Sequence, residues 1–546
     1  MSDDHDGRRP MTDRDDIIAR LTAPGAPFEI RTEPVAGRPA KVFARRHRCL
    51  TELLEASRGF GDREYLVTVD SRLTFARHYD RVAALASVLR NEYGVGRGDR
   101  VALCAANCPE WIVGFWAAVS LGAIAVGMNS MWAAPEVAHG LDLTTPKVVL
   151  TDAARTPLVA APVLEFGSPE YRELLDRHEG APLRPEPVDE DDPAVILFTS
   201  GTSGRPKGAT HSHRNVLAAV WFHLFNDAVA AESGRPARDR RFLLATPLFH
   251  IAALHNLAVV RLAVGDAAVL YQGKFDIHRV LDLVQAERVT NWGAVPTMLS
   301  RLVEADLSGY DLSALKTVSV SSAPSTAELK DRLREALPGA AASLSTNYGL
   351  TESSTAATLA TPAELVADPD TAGRPVPNME VRIRDADGRP VPDGTDGEIH
   401  LRGPQVMLGY FNDPAATAAA FTGDGWFRTG DLGHLRDGAL FVLSRRSDLI
   451  LRGAENIYPA EVEEQLAGHP GVAECIVAGL PDPDYGQLVA AKVVLRAESD
   501  VDVEELRGYL SARLARYKVP TAWFLTREAL PRNATGKVVR RLVRWE

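Results

Sequence analysis

Ten residues constrain this chain more than any others: Thr199-Ser-Gly-Thr-Ser-Gly-Arg-Pro-Lys-Gly208, set directly behind the apolar run 195–198 and ahead of a helical stretch. A short apolar run bounded by such a loop reads as a buried strand. The glycines let the backbone turn its N–H groups outward, and the hydroxyl residues with Lys207 add side-chain donors. Such a loop is suited to phosphate oxygens. It is not a Walker A loop, which needs Gly at position 206 and Ser or Thr at 208, where this chain has Pro206 and Gly208.

The surrounding pattern is that of α/β layers. Through the first two-thirds, β-rich runs (100–104, 147–150, 194–199, 317–320) alternate with helical stretches such as 80–92 and 215–225. Over 371–409, Pro and Gly punctuate short strands at 381–384 and 398–401, which suggests a small β subdomain. Beyond Arg445, strands at 472–478 and 490–495 precede Val503, Leu506, Leu510 and Leu514, which share one helical face. The expected fold class is therefore α/β. A large N-terminal domain over 17–446, of layered α/β sheets plus the small β subdomain, is followed by a smaller α+β C-terminal domain over 447–546. Residues 1–16 are polar, without the apolar stretch of a signal peptide, and read as a disordered tail in which Met11 is a second candidate start.

Composition excludes several function classes. At 546 residues the chain is too long for one core, and 45% hydrophobic with 24% charged residues is ordinary for a globular protein. A net charge of -11 argues against nucleic acid or an anionic membrane as partner. The uncharged stretch 111–135 is long enough to span a bilayer. Its Ser120, Gly122, Gly127, Asn129 and Ser130 point instead to a buried helix followed by a buried strand. Cys49, Cys104, Cys108 and Cys475 are scattered, and nothing completes a zinc site around Cys104 and Cys108. Reduced thiols in a cytoplasmic protein are expected.

The loop at 199–208 resembles the signature of the adenylate-forming superfamily of AMP-forming acyl-CoA synthetases, luciferases and peptide-synthetase adenylation domains. Further motifs follow in that family's order: Tyr348-Gly-Leu-Thr-Glu352, Gly425-Trp-Phe-Arg-Thr-Gly-Asp431, Ser444-Arg-Arg-Ser-Asp448, Gly453-Ala-Glu-Asn-Ile-Tyr-Pro459 and Pro531-Arg-Asn-Ala-Thr-Gly-Lys537. The resemblance implies that Thr199, Ser200, Gly201, Thr202, Ser203, Gly204 and Lys207 bind ATP, together with Ser322, Ala323, Pro324 and Asn347. It implies that Tyr348 stacks on the adenine, Thr351 contacts the α-phosphate, and Glu352 with Thr199 holds Mg²⁺. Asp431 would accept both ribose hydroxyls and Arg445 would contact ribose or phosphate. Ser447 stands at the hinge, where most relatives carry Asp or Lys. Gly453, Ala454 and Glu455 would form the CoA pantetheine loop, and Lys537 would enter the site for adenylation only, carried by the C-terminal domain as a mobile lid. Outside that context, Tyr-Gly-x-Thr-Glu is an ordinary turn with a capping Glu, and a lone Lys is a solvated charge.

The same resemblance points to an acid pocket. His250, in Pro247-Leu-Phe-His250, stands where the family places a His or an aromatic, the alternative being a packed core histidine. Ser321 and Ser322 stand where many relatives have a Gly pair, Asn347 where many have Gly, and Trp292 is a candidate flat wall. Added side-chain volume rejects long acids, so an aryl or short-to-medium acid is expected. The implied activity is that of an acid–CoA ligase using ATP, Mg²⁺ and CoA, without nucleic acid or integral membrane association. The alternatives are adenylation with a carrier-protein phosphopantetheine or an amine as acceptor, or of an unusual acid such as nitrous acid. A non-catalytic nucleotide-binding regulator is disfavoured by the intact Lys207, Glu352, Asp431, Arg445 and Lys537.

Overall fold

A computed structural model describes residues 13–199, 206–236, 239–321, 325–445, 448–452, 455–482, 486–514, 516–533 and 538–546. Helix Asp13–Thr22 begins inside the stretch expected to be a tail. Its Ile17 and Leu21 pack with Phe28, Phe43 and Phe225, and this apolar anchor gives the helix its reason to order.

Two large sheets build the N-terminal part. A seven-stranded sheet runs, in spatial order, through Gly409–Tyr410, Lys207–Ser212, Pro193–Thr199, Ile124–Gly127, Arg100–Cys104, Val148–Thr151 and Val163–Glu165. Its pairings from Pro193–Thr199 to Val163–Glu165 are parallel, and the other two are antiparallel. Helix Pro109–Ser120, entered by Pro at its first position, is buried along almost its whole length, and strand Ile124–Gly127 is wholly buried. The uncharged stretch is thus interior as far as Met128, while Met131 and residues 133–135 are exposed, and among the described residues no helix is long and apolar enough to cross a membrane.

The second sheet has nine strands, including Arg241–Leu244, Ala267–Leu270, Asn291–Ala294, Thr317–Val320 and Ser345–Tyr348. Its register sorts side chains by face, since in-register neighbours point the same way and alternate residues point apart. Leu243, Trp292 and Val318 are in register, and with Val320 they pack against helices Ile277–Ala286, Pro296–Glu304 and Ala327–Ala336. Leu244, Ala268 and Leu270 point the other way, into the larger core shared with helices Phe75–Tyr93 and Pro109–Ser120. Gly293, Ser319 and Ser345, again in register, share that second face.

The β subdomain extends further than 371–409. It is a four-stranded antiparallel sheet of Glu380–Arg384, Gly397–Arg402, Phe427–Arg436 and Ala439–Arg445. The smaller C-terminal domain follows, with hairpin Ile450–Arg452/Glu455–Ile457, helices Pro459–Ala467 and Val503–Ser511, and a three-stranded sheet. Leu506 and Leu510 are fully buried there, as the helical spacing predicts. The third strand, Ala522–Thr526, pairs in parallel with Gly486–Leu495 and is an addition to the strands expected from sequence.

Candidate active site

The strands on either side of the loop pair as a hairpin. Thr199 pairs in antiparallel register with Lys207, so strand Lys207–Ser212 intervenes before helix His213–Glu232. This differs from the strand-to-helix turn expected from sequence. The polar run 207–212 hides its strand character, because it is buried between two neighbouring strands rather than alternating in and out. Gly208 is required by close approach: a Cβ there would lie 2.8 Å from Ile196 Cγ2.

Around the hairpin's end the sheets bring together groups far apart in sequence. The Lys207 ammonium lies 5.0 Å from the centroid of the Tyr410 ring. The Tyr410 hydroxyl donates to Glu352 Oε1 at 2.9 Å. Tyr410 comes from the two-residue strand Gly409–Tyr410, which pairs with Lys207–Ser212. The Glu352 carbonyl accepts from the Met407 amide at 2.8 Å, tying the Thr351–Ser353 turn to the same segment. Beside it, the Tyr348 hydroxyl donates to Asp431 Oδ2 at 2.7 Å, and the Asp431 amide bonds to Thr429 Oγ1 at 3.0 Å. Asp431 is buried and stands in register opposite Arg445 in the four-stranded sheet. Lys207, Glu352, Tyr348 and Asp431 are thus each held in place by a partner, with Thr199 beside Lys207.

Tyr410 is the residue that sequence reasoning missed. It sits in Gly409-Tyr-Phe-Asn412, a turn-flanked aromatic with no periodic pattern, and only its pairing with strand Lys207–Ser212 gives it a role.

The acid-pocket expectations divide. His250 precedes helix Ile251–Ala253, half-buried, its ring 4.4 Å from that of Phe249. The Ser321 amide extends the parallel ladder by bonding to the Ala294 carbonyl at 3.0 Å. That places Ser321 two residues beyond Ser319 on its face, and Asn347 lies two beyond Ser345 on the same face. Trp292 is a correction. It is 1% exposed, on the opposite face, among the helix-side core residues, so it cannot wall the same pocket as Ser321 and Asn347.

Ser200, Gly201, Thr202, Ser203, Gly204, Ser322, Ala323, Pro324, Ser447, Gly453, Ala454 and Lys537 lie outside the described residues, as do the side chains of Arg445 and Glu455. Among the described residues no group of three or more His, Cys, Asp and Glu side chains is placed to hold a metal ion. Mg²⁺ needs none, since it is commonly held by one or two carboxylates plus substrate phosphates. Glu352, oriented by Tyr410 beside a phosphate-suited loop, is a donor of the right hardness.

Layered α/β sheets with a small α+β domain behind them, and these groups at the end of the Thr199/Lys207 hairpin, define the adenylate-forming class of ligases. The comparisons with known proteins agree. Residues 53–411 match the family described as AMP-binding enzyme, and residues 461–537 match its C-terminal domain. The chain belongs to this family. It is 38% identical to a feruloyl-CoA synthase from Amycolatopsis, over 86% of this chain and 93% of that protein. It is 34% identical to a long-chain-fatty-acid–CoA ligase from Mycobacterium tuberculosis, over 87% of this chain and 93% of the relative. Among solved structures, the o-succinylbenzoate CoA synthetase of Bacillus subtilis, in complex with its acyl-adenylate intermediate, superposes with a TM-score of 0.79 at 31% identity. That match covers 91% of this chain and 98% of the other.

Proposed function

We propose that this AMP-forming acyl-CoA ligase activates an aryl or short-to-medium carboxylic acid and transfers the acyl group to CoA, using ATP and Mg²⁺. One observation carries the reading in a chain of this family: Lys207 and Glu352 meet on Tyr410 while Tyr348 holds Asp431. In the first half-reaction a carboxylate oxygen forms a bond to the α-phosphorus of ATP, and the bond to the bridging oxygen breaks, releasing pyrophosphate. In the second, the CoA sulfur bonds to the acyl carbon, AMP leaves with the carboxylate-derived oxygen, and the thiol proton passes to solvent.

The first step brings two anions together, so charge must be offset where it develops. Lys207 and the loop before it would face the phosphates, and Lys537 would join the reacting carboxylate to the α-phosphate. Thr351 would contact the α-phosphate. Asp431 would accept the ribose hydroxyls, since one carboxylate accepts two O–H bonds, with Arg445 beside it and Tyr348 against the adenine. Mg²⁺, when bound by Glu352 and Thr199, supplies charge neutralisation on the phosphate oxygens. For the second step we assign the CoA approach to Gly453, Ala454 and Glu455. The small domain would begin at Ser447 and swing about it between the two half-reactions. A cytoplasmic location fits both substrates.

The acid is assigned from the sheet face that carries Ser321 and Asn347, with His250 as a wall or gate beside the carboxylate. Side chains in place of hydrogen shorten the space available, and Asn347 favours a polar ring substituent. An acid panel read by pyrophosphate release, with and without CoA, tests the whole reading. The expected outcome is highest kcat/KM for an aromatic or short acid and a thioester product. Vigorous turnover of palmitate would overturn the acid class. Adenylate formation with no thioester would move the acceptor to a carrier protein or an amine.

A further inference from the structure

Helix His213–Glu232 and the segment after His250 meet over the Thr351–Ser353 turn, and the meeting point is unusual in three ways. Leu254–Val259 is a π-helical turn, a geometry that is rare and often found at functional sites. Ser354, directly after the turn that carries Glu352, has φ +59° although it is not glycine, which costs backbone energy. Third, the buried neighbours of Ser354 are polar. His255 and His211 are each fully buried, with rings edge-to-face at 5.1 Å.

The hydrogen bonds define how these parts connect. The Ser354 hydroxyl donates to the Asn215 carbonyl at 2.9 Å, which uses its only proton. Its contact with His255 Nδ1, at 2.9 Å, is therefore one in which the imidazole donates. His255 is the neutral Nδ1–H tautomer, and burial holds its ring well below the usual histidine range. The next residue, Asn256, donates from Nδ2 to the Ile251 carbonyl at 3.2 Å and to the Ser354 carbonyl at 3.4 Å. Its Oδ1 accepts from the Thr355 hydroxyl. Two consecutive residues of the π turn thus grip Ser354 and Thr355, while the Ser354 amide bonds to the Thr351 carbonyl at 3.2 Å.

We propose that His255 and Asn256 are positioning residues for Glu352: they hold Ser354 in its positive-φ turn, φ +59° and ψ -34°, and so set the direction of the Thr351–Ser353 turn. The inference rests on the reading of Glu352 as the carboxylate that meets the metal-bound phosphates. It assigns no contact between His255 and substrate. A side chain that only filled space here would affect stability alone, whereas a positioning role moves the binding of Mg²⁺–ATP and spares the second half-reaction.

The test uses the full-length protein with His255→Ala, His255→Asn and Ser354→Gly, singly and with His255→Ala combined with Ser354→Gly. For His255→Ala we expect adenylation kcat to fall about tenfold, and the Mg²⁺ concentration for half-maximal rate to rise about tenfold, as for loss of one well-placed hydrogen bond. Calorimetric ATP affinity measured with Mg²⁺ should weaken, while affinity without Mg²⁺ and thioester formation from preformed acyl-AMP stay within about twofold. His255→Asn keeps a donor in place of Nδ1 and should recover most of the loss. Glycine adopts φ +59° without strain, so adding Ser354→Gly to His255→Ala should also restore the Mg²⁺ dependence. If His255→Ala does not fold, His255→Leu against His255→Asn makes the same comparison. Glu352→Gln separates the two layers: an unimpaired Glu352→Gln enzyme removes the reading of Glu352 itself. A crippled Glu352→Gln enzyme beside a His255→Ala or His255→Leu enzyme with unchanged Mg²⁺ dependence removes the positioning role.

Discussion

Tyr410 joins a cation and an anion that would otherwise be set by unrelated segments. Its ring lies under the Lys207 ammonium and its hydroxyl holds Glu352 Oε1 at 2.9 Å. A hydrogen bond to a charged group is worth about 1.5–3 kcal/mol, so Tyr410→Phe should slow adenylation by about 10- to 100-fold. The ring under Lys207 is kept in that variant, so Tyr410→Leu should be worse, by the further loss of a cation–π contact of about 0.5–2 kcal/mol. Stopped-flow pyrophosphate release checks both, and equal rates for Phe and Leu would remove the ring from the argument. Lys207 is legible in the sequence because its Pro-Lys-Gly setting is local. Tyr410 is not, because nothing near it in the chain refers to Lys207 or Glu352. Trp292 fails for a related reason. Its flat ring suits a pocket wall, and nothing local to it in the sequence tells which face it takes; the strand's alternation sends it to the other face.

At the scale of elements, the two faces of the nine-stranded sheet have different duties. One packs Leu243, Trp292 and Val318 against three helices, and the other carries Gly293, Ser319 and Ser345. Replacing Trp292 by Ala should therefore cost about 3–5 kcal/mol of stability, the usual range for a large aromatic removed from a core. Acid preference should stay as in the parent enzyme. Asn347→Gly should do the reverse, admitting longer acids at small cost in melting temperature. Calorimetry and the acid panel, run on both variants, separate the faces; a changed acid profile in Trp292→Ala would return Trp292 to the pocket. The hairpin makes a second case. An added Cβ at Gly208 meets Ile196 Cγ2 across the strand pair, so Gly208→Ala should lose about 1–3 kcal/mol as overpacking, and Ile196→Leu, which removes the Cγ2 branch at conserved volume, should recover part of it. Strand Pro193–Thr199 was legible from its apolar run. Its partner Lys207–Ser212 was not, because polar residues buried by neighbouring strands imitate a loop.

The whole molecule carries its histidines unevenly, and this shapes its response to acid. Burial pushes His78 and His211 down to about 3 and His213 down to about 4. Unfolded, each would take a proton near pH 6.5, so the unfolded chain binds more protons than the folded one between those values. Stability then rises with pH across that window and is lost as pH falls below about 6.5, by up to roughly 1.4 kcal/mol per pH unit for each such group. Chemical unfolding at about pH 7 and about pH 5 should show a marked loss at the lower value, and a flat profile would mean that these rings gain protons in place. At the same scale, Lys537→Ala should slow acyl-AMP formation by orders of magnitude and leave thioester formation from preformed acyl-AMP unchanged, if the small domain brings that lysine in for one half-reaction only. Equal damage to both half-reactions would remove the alternating role. By itself the sequence determined the α/β class, the large and small domains and, through the loop at 199–208, the family, because strand and helix periods, turn residues and signature motifs are written in contiguous residues. Only the tertiary structure decided that the strands flanking this loop pair as a hairpin, that Tyr410 links Lys207 to Glu352, that Trp292 faces away from Asn347, and that a π turn grips Ser354. Each of these depends on which strands become neighbours and in what register, and burial of apolar faces over the whole chain sets that pairing rather than any local preference.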